Sequence, residues 1–296
     1  MEHTMPDYDS LLSLDAQGQP WSILVRRVFH RLRVYGCVVL RNALPRGLLE
    51  TVRAAGVPEA RRLSSLTRQT EHLENARADW VGDLRFKSMV TPQGSPDLRH
   101  YVIYQIFMPS LMPVIAGAYF KQFRVSALTL PHVTCHMRYQ SPQVGSMVTG
   151  MHQDGNFTGS MDIGRSVQFW VPLDPCGEDA PGMEFVPVGL SGILPHGDTI
   201  NVSPSVLSMF SPEARFRPVF SPGDVMVFNS ETLHGTWSRP EMTKERFNLE
   251  FRVFGAGNVD APLLNEGETR FFAPQIPAPT EPVIRNYILD EPLEPV

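Results

Sequence analysis

Cysteine is scarce in this chain. Cys37, Cys135 and Cys176 are its three examples, far apart, odd in number and without a Cys-x-x-Cys. This excludes a disulfide framework and a thiolate zinc site, and it fits a reducing compartment. Charge is also sparse: 19% of residues are acidic or basic, the net charge is −5 and the pI is near 6.0. With no basic surplus there is no general attraction to nucleic acid or to an anionic membrane, and no nucleic-acid partner is expected. No internal repeat is visible. The first ten residues lack the basic and apolar regions of a secretory signal, so a cytoplasmic location is the expectation.

Long apolar runs are missing with one exception. Residues 101–120 carry no charge and are about as long as a membrane span, yet Pro109 and Pro113 interrupt the stretch, Gln105 and Ser110 add polarity, and Arg99 and Lys121 bracket it. The expected form is two buried helical pieces with a proline break, and no membrane spanning. Hydrophobic residues make up 42% of the 296 residues, enough for a sizeable core, and one domain over 1–296 is expected.

The first part, 1–122, reads as mainly helical support. In Trp21–Tyr35, Ile23, Leu24, Val28, Leu32 and Tyr35 fall near one face, the arginines read as a solvated face, and Gly36 stops the helix. A short β run over 37–40 follows. Pro45 then opens a helix that Gly56 closes, and a polar helix covers 59–78. From about Phe123 the pattern changes to short β-branched and aromatic runs cut by Gly and Pro, at 124–130, 133–139, 147–154, 166–173, 183–188, 206–210, 224–229, 232–237 and 246–254. This succession predicts a jelly-roll core over 123–255, a cupin-like double-stranded β-helix flanked by α-helices. The segment 256–296 is rich in proline and reads as extended surface chain or disorder.

Two His-x-Asp triplets occur, His152-Gln153-Asp154 and His196-Gly197-Asp198. Residues i and i+2 of a strand point the same way, so a strand-borne triplet offers an imidazole and a carboxylate to one metal ion. The second triplet sits in a Pro- and Gly-marked turn and reads as a surface loop. The first ends a β run. A third ligand, His234, follows the strand-like 224–229, and several strands separate it from Asp154. Two histidines and one carboxylate with open positions suit a non-haem Fe(II) centre, whereas a structural zinc would be closed by a fourth ligand. In 246–253, Arg246, Asn248, Glu250 and Arg252 alternate with Phe247, Leu249, Phe251 and Val253, giving one polar and one apolar face. An inward polar face would hold an arginine suited to a bound carboxylate.

These pieces resemble the Fe(II)/2-oxoglutarate-dependent oxygenases, and within them the phytanoyl-CoA dioxygenase-like family. The similarity runs from Val25 to Phe254. It rests on His152-Gln153-Asp154, on Val167-Gln168-Phe169-Trp170-Val171-Pro172-Leu173-Asp174, on Gly182-Met183-Glu184-Phe185-Val186-Pro187, on Gly223-Asp224-Val225-Met226-Val227-Phe228 leading to His234-Gly235-Thr236, and on Arg246. The resemblance implies iron ligation by His152, Asp154 and His234. It implies 2-oxoglutarate binding by Arg246 and Thr236, with Trp170 and Gln168 beside it, and Asn156 and Phe157 on the substrate side.

The implied cofactors are Fe(II), 2-oxoglutarate and O2. The implied reaction is hydroxylation, or another oxidation, of an unactivated C–H in a small organic metabolite, with release of succinate and CO2. Asp154 separates the chain from halogenating relatives, which lack that carboxylate. The interval from His234 to Arg246 is slightly longer than usual for the family, which leaves Arg239 and Arg252 as alternatives. The family's Pro-Gly-Ser-His piece is replaced by Pro187-Val188-Gly189-Leu190-Ser191. A cupin-like barrel that binds a metal or small molecule without redox turnover, or a catalytically inert interaction protein, stays as the alternative.

Overall fold

The computed structural model describes residues 7–70, 83–85, 98–140, 150–156, 165–196, 201–257, 259 and 261–274. Along the chain come α1 (Tyr8–Leu12), β1 (Ser13–Asp15), α2 (Trp21–Tyr35), β2 (Cys37–Arg41), α3 (Arg46–Thr70), β3 (Asp83–Arg85), α4 (Leu98–Tyr101), a π-helical turn (Val102–Phe107) and α5 (Met112–Lys121). The second part holds β4 (Ala127–Pro131), β5 (His136–Gln140), β6 (Ser166–Pro172), β7 (Gly182–Phe185), α6 (Pro204–Leu207), β8 (Val225–Asn229), β9 (His234–Trp237), β10 (Arg246–Gly255) and β11 (Glu268–Phe272).

Nine strands form one sheet in the order β1-β2-β8-β6-β10-β4-β11, with β5 also paired to β10 and β3 to β5. Strands β7 and β9 make a second, two-stranded sheet. The result is mainly β with flanking helices, the cupin-like jelly-roll arrangement expected, although the large sheet does not close into a barrel among the described residues.

The large sheet has two different faces because directly opposed residues of antiparallel strands share a face. Glu250 lies opposite His136 and Trp170, Arg252 opposite Gln168, and Trp170 opposite Met226. This face looks toward the small sheet, since Phe228 of β8 packs 5.4 Å from Phe185 of β7 and 4.6 Å from His234 of β9. The other face carries Val167, Phe169, Val227, Phe247, Leu249, Phe251 and Val253, all at 0% exposure, and receives the helices. Phe107 joins the layers, with ring centroids 6.0 Å from Phe169, 5.3 Å from Phe251 and 5.9 Å from Phe271. The three cysteines are buried and unbridged.

Helix α2 has the expected bounds and ends on Gly36 in the left-handed region (φ 78), whose N–H donates to the Leu32 carbonyl. One of its arginines departs from the solvated face: Arg31 is 5% exposed, and its Nε donates to the Leu11 carbonyl at 2.8 Å. The apolar stretch after Arg99 forms two helical pieces bent by 70°, and no single helix among the described residues is long and apolar enough to cross a membrane. Pro113 lies in the first turn of α5, where its missing N–H is harmless.

Several expectations need correction. Gly56 does not close a helix; α3 runs through Gly56 and Pro58 to Thr70, because burial of Leu49, Val52 and Val57 outweighs the small cost of a helical glycine. Residues 71–78 of the expected polar helix lie outside the described residues. The run 206–210 is not a strand, since Pro204 starts the short helix α6. Within 147–154, residues 147–149 lie outside the described residues, and the rest makes a single bridge from His152 to His234 followed by a 3-10 turn over Asp154–Asn156. The region after Ala261 is not merely extended: β11 pairs antiparallel with β4 and brings Phe271 against Phe107.

Gly36 also couples the helical layer to the turn before β9. Its carbonyl accepts from the Thr232 hydroxyl at 2.7 Å, and a Cβ there would stand 2.8 Å from Thr232 Oγ1. Gly36→Ala is therefore expected to lower stability by about 1–3 kcal/mol. Gly47→Ala, in α3 with nothing within 4 Å of the added carbon, should be neutral or stabilising by up to about 1 kcal/mol. Urea midpoints of the two variants check the contrast, and equal shifts would refute it.

Candidate metal centre

The chain crosses from the 150–156 segment to β9 through a reciprocal backbone pair. His152 N donates to His234 O at 2.8 Å, and His234 N donates to His152 O at 3.0 Å. The two imidazoles are thus cross-strand neighbours, with ring centroids 4.3 Å apart. The 3-10 turn that starts at Asp154 brings its carboxylate to the same place, with Oδ1 3.6 Å from His152 Nε2. One ligand atom from each of His152, Asp154 and His234 falls within 4.8 Å of the others, and all three residues are buried.

Backbone carbonyls orient both rings. His152 Nδ1 lies 2.8 Å from Gly150 O, and His234 Nδ1 lies 2.9 Å from Thr232 O. A carbonyl only accepts, so Nδ1 carries the proton and Nε2 offers its lone pair. Burial, then the neighbouring His152, pull the His234 pKa down to about 4, so that ring is neutral at neutral pH. Burial opposes ionisation of Asp154, but Arg252 first, and His152 and His234 after it, hold its carboxyl well below the usual carboxylate range. A pair of imidazoles with one carboxylate fits a divalent ion of the Fe(II) class.

Gln153, the middle residue of the triplet, is 0% exposed and points the other way. It donates to the carbonyls of Gly192 and Glu231 and accepts from Leu194 N at 2.7 Å, tying the metal segment to two loops. The rival His196 makes a Leu194 carbonyl contact at 2.7 Å and stands apart from the three-residue cluster, while Asp198 lies outside the described residues. Asn156 closes the 3-10 turn by its backbone; its side chain and Phe157 lie outside the described residues.

Arg246, at 1% exposure, is one of the most deeply buried large side chains. Its Nη1 donates to Gly182 O in the small sheet at 2.9 Å, and its guanidinium carbon lies 5.1 Å from the Trp170 ring. Burial pulls its pKa down to about 10, which leaves it a cation at neutral pH. Its Nε and the Trp170 Nε1 are buried donors without a hydrogen-bond partner among the described residues. Orphan donors on a buried cation fit a carboxylate ligand. Thr236 is opposite Met183, one residue along from the Gly182 that Arg246 reaches, and is partly exposed. Gln168 bonds Ser166 Oγ at 2.9 Å and lies opposite Arg252, two positions along β6 from Trp170.

The two other arginines have different commitments. Arg239 donates to Glu178 O at 3.1 Å and stands 6.0 Å from the Trp237 ring. Arg252 grips Asp154, Nε to Oδ2 and Nη2 to Oδ1, both at 3.2 Å. Sequence reasoning missed this role, and with it the Glu250 group: His136 Nε2 at 3.2 Å, Arg138 Nε at 3.4 Å and Asn248 Nδ2 at 3.2 Å surround that carboxylate. The alternation of β10 was a signal that these residues share a face. Partner choice on that face was not encoded in it.

The His234 shift gives a pH dependence for the metal-free chain. Its pKa is lower folded, about 4, than the ordinary 6.5, so its contribution is present above pH 6.5 and lost as pH falls toward 4. The expected loss is about 3 kcal/mol over that window. His234→Gln should flatten this part of the curve, as read from unfolding midpoints at stepped pH, and an unchanged slope would refute the assignment.

Comparison with known proteins bears on the whole chain. No curated protein sequence matches it. Among solved structures, the epimerase SnoN, in complex with Fe3+, alpha-ketoglutarate and a nogalamycin compound, is similar with a TM-score of 0.52 and 17% identity, over 86% of this chain and 87% of that one. The carbocyclase SnoK from nogalamycin biosynthesis gives 0.51 and 18%, over 81% and 88%. EvdMO1 gives 0.51 and 17%, over 78% of this chain and 50% of its own. At these identities the likeness concerns the fold. The phytanoyl-CoA dioxygenase (PhyH) family profile matches residues 32–239, from the end of α2 through β9, and includes the three clustered residues. The chain belongs to the phytanoyl-CoA dioxygenase family and is a non-haem enzyme that depends on Fe(II), 2-oxoglutarate and O2.

Proposed function

We propose that this enzyme hydroxylates an unactivated C–H of a small organic metabolite, with His152, Asp154 and His234 holding the iron. The observation that carries the reading is the buried group of two imidazoles and one carboxylate, with the buried Arg246 in the same interior, whose Nε has no hydrogen-bond partner among the described residues. Bound iron with 2-oxoglutarate and O2 supplies the oxidising chemistry; the substrate gains one oxygen atom, and 2-oxoglutarate takes the other as it becomes succinate and CO2. Arg246 binds the far carboxylate of 2-oxoglutarate, with Thr236 sharing it and Trp170 and Gln168 lining its place. Phe185 and Phe228 pack against the His234 ring at 6.0 and 4.6 Å and keep water from that side. Asn156 and Phe157, just beyond Asp154 in the chain, are the residues that the family resemblance assigns to the substrate side.

Epimerisation and ring closure form the second reading, favoured by the similarity to SnoN and SnoK, which use the same fold for those outcomes. Like hydroxylation, both would act at a C–H of the substrate. They differ in whether an oxygen atom enters the product, so mass analysis after turnover under labelled O2 separates them.

Anaerobic titration of metal-free protein with Fe(II) and then 2-oxoglutarate tests the site. A weak visible charge-transfer band requiring both additions is expected. His152→Ala should abolish it, and Arg246→Ala should raise the 2-oxoglutarate needed by tenfold or more, since a charge-assisted pair is worth about 1.5–3 kcal/mol. Iron binding without any band would refute the reading.

A further inference from the structure

Asp154 is held before any ion arrives. Strand alternation puts Arg252 on the inner face of β10 opposite Gln168, and from there its guanidinium meets the carboxylate as a two-donor fork. Asp154 is 3% exposed, so this pairing is sheltered from water. A second carboxylate lies near the same guanidinium. Its Nη2 lies 3.9 Å from Glu250 Oε2, and Glu250 is itself held by His136, Arg138 and Asn248. Burial works against the Glu250 charge, but Arg138, His136 and Arg252 keep that carboxyl ionised. The result is a chain of alternating charges running from β5 through β10 to Asp154.

A carboxylate has about four lone-pair directions, two on each oxygen. The fork takes the pair that faces outward between the two oxygens, which is the pair a chelating carboxylate must use to hold an ion with both. One direction on each oxygen is left, and Oδ1 is the oxygen near His152 Nε2, at 3.6 Å. We propose that Arg252 is a positioning residue that limits Asp154 to a single oxygen toward the metal and thereby preserves an open position for the cosubstrate. The inference rests on the proposed ligand set. An ion held by three protein atoms would keep its remaining positions for 2-oxoglutarate and O2. A second Asp154 oxygen would occupy one of them.

The test uses the full chain with Mn(II) in place of iron, and compares wild type with Arg252→Gln and Arg252→Lys. Gln keeps an amide donor without the charge, and Lys keeps the charge without the fork. Three quantities are read: Mn(II) affinity by the free-ion EPR signal, the number of exchangeable waters on bound Mn(II) by proton relaxation, and 2-oxoglutarate affinity of the Mn(II)-loaded protein. Both variants are expected to bind Mn(II) within about threefold of wild type or tighter, to lose about one exchangeable water, and to bind 2-oxoglutarate about tenfold or more weakly. Wild-type water number and 2-oxoglutarate affinity in both variants would overturn the proposal. So would loss of Mn(II) affinity in step with a lowered unfolding midpoint, which marks a merely structural ion pair. A wild-type chain that takes neither Mn(II) nor 2-oxoglutarate overturns the ligand set itself, and the inference with it.

Discussion

The reciprocal backbone pair between His152 and His234, at 2.8 and 3.0 Å, is the contact on which the site depends. It joins a segment with little regular structure to β9. Because the two residues face each other across that pair, their side chains emerge together on the side of the large sheet's polar face. Everything else in the site adjusts to this point. The Gly150 and Thr232 carbonyls turn the rings, Asp154 follows one residue beyond Gln153, and Gln153 anchors the segment by bonding three backbone groups on its other side.

Strand β10 connects this centre to the rest of the molecule through its two faces. One face is fully apolar and receives the helical layer through Phe107, so it supplies burial energy of roughly 25 cal/mol per Å² of apolar area. The other presents Arg246, Asn248, Glu250 and Arg252 to the interior. Its start is fixed by Asp174, which accepts Phe247 N at 3.1 Å and Arg53 Nε at 2.8 Å, linking β10 to α3. A rigid strand packed this firmly can hold buried charges at fixed spacing, which a loop could not do as well.

Parts of this arrangement were legible from residues alone. The helix over Trp21–Tyr35 and its stop at Gly36 follow from 3.6-residue periodicity and from the ease with which glycine adopts positive φ. The alternation from Arg246 to Val253 announced a two-faced strand, and His152-Gln153-Asp154 with His234 announced a buried cluster that could hold a metal ion. Less legible were the elements whose local signal was overridden. Gly56 and Pro58 punctuate the sequence, yet α3 runs through both to Thr70, with Leu49, Val52 and Val57 buried along its first part. The strand β11 sits in a proline-rich region and forms because β4 offers an unpaired edge and Phe107 a place for Phe271.

The sequence by itself determined residue chemistry and local periodicity: which side chains can ligate, which faces are apolar, and in what order the motifs come. These are properties of neighbours along the chain, and hydrophobic spacing or turn chemistry expresses them directly. Only the tertiary structure decided which partner each buried charge takes. Arg246, Arg239 and Arg252 are alike as letters, but one donates to the small sheet with a buried donor to spare, one lies beside Trp237, and one grips Asp154. The reason is physical. An ion pair is set by distances across strands far apart in sequence, and those distances exist only after the apolar faces have packed and fixed the register.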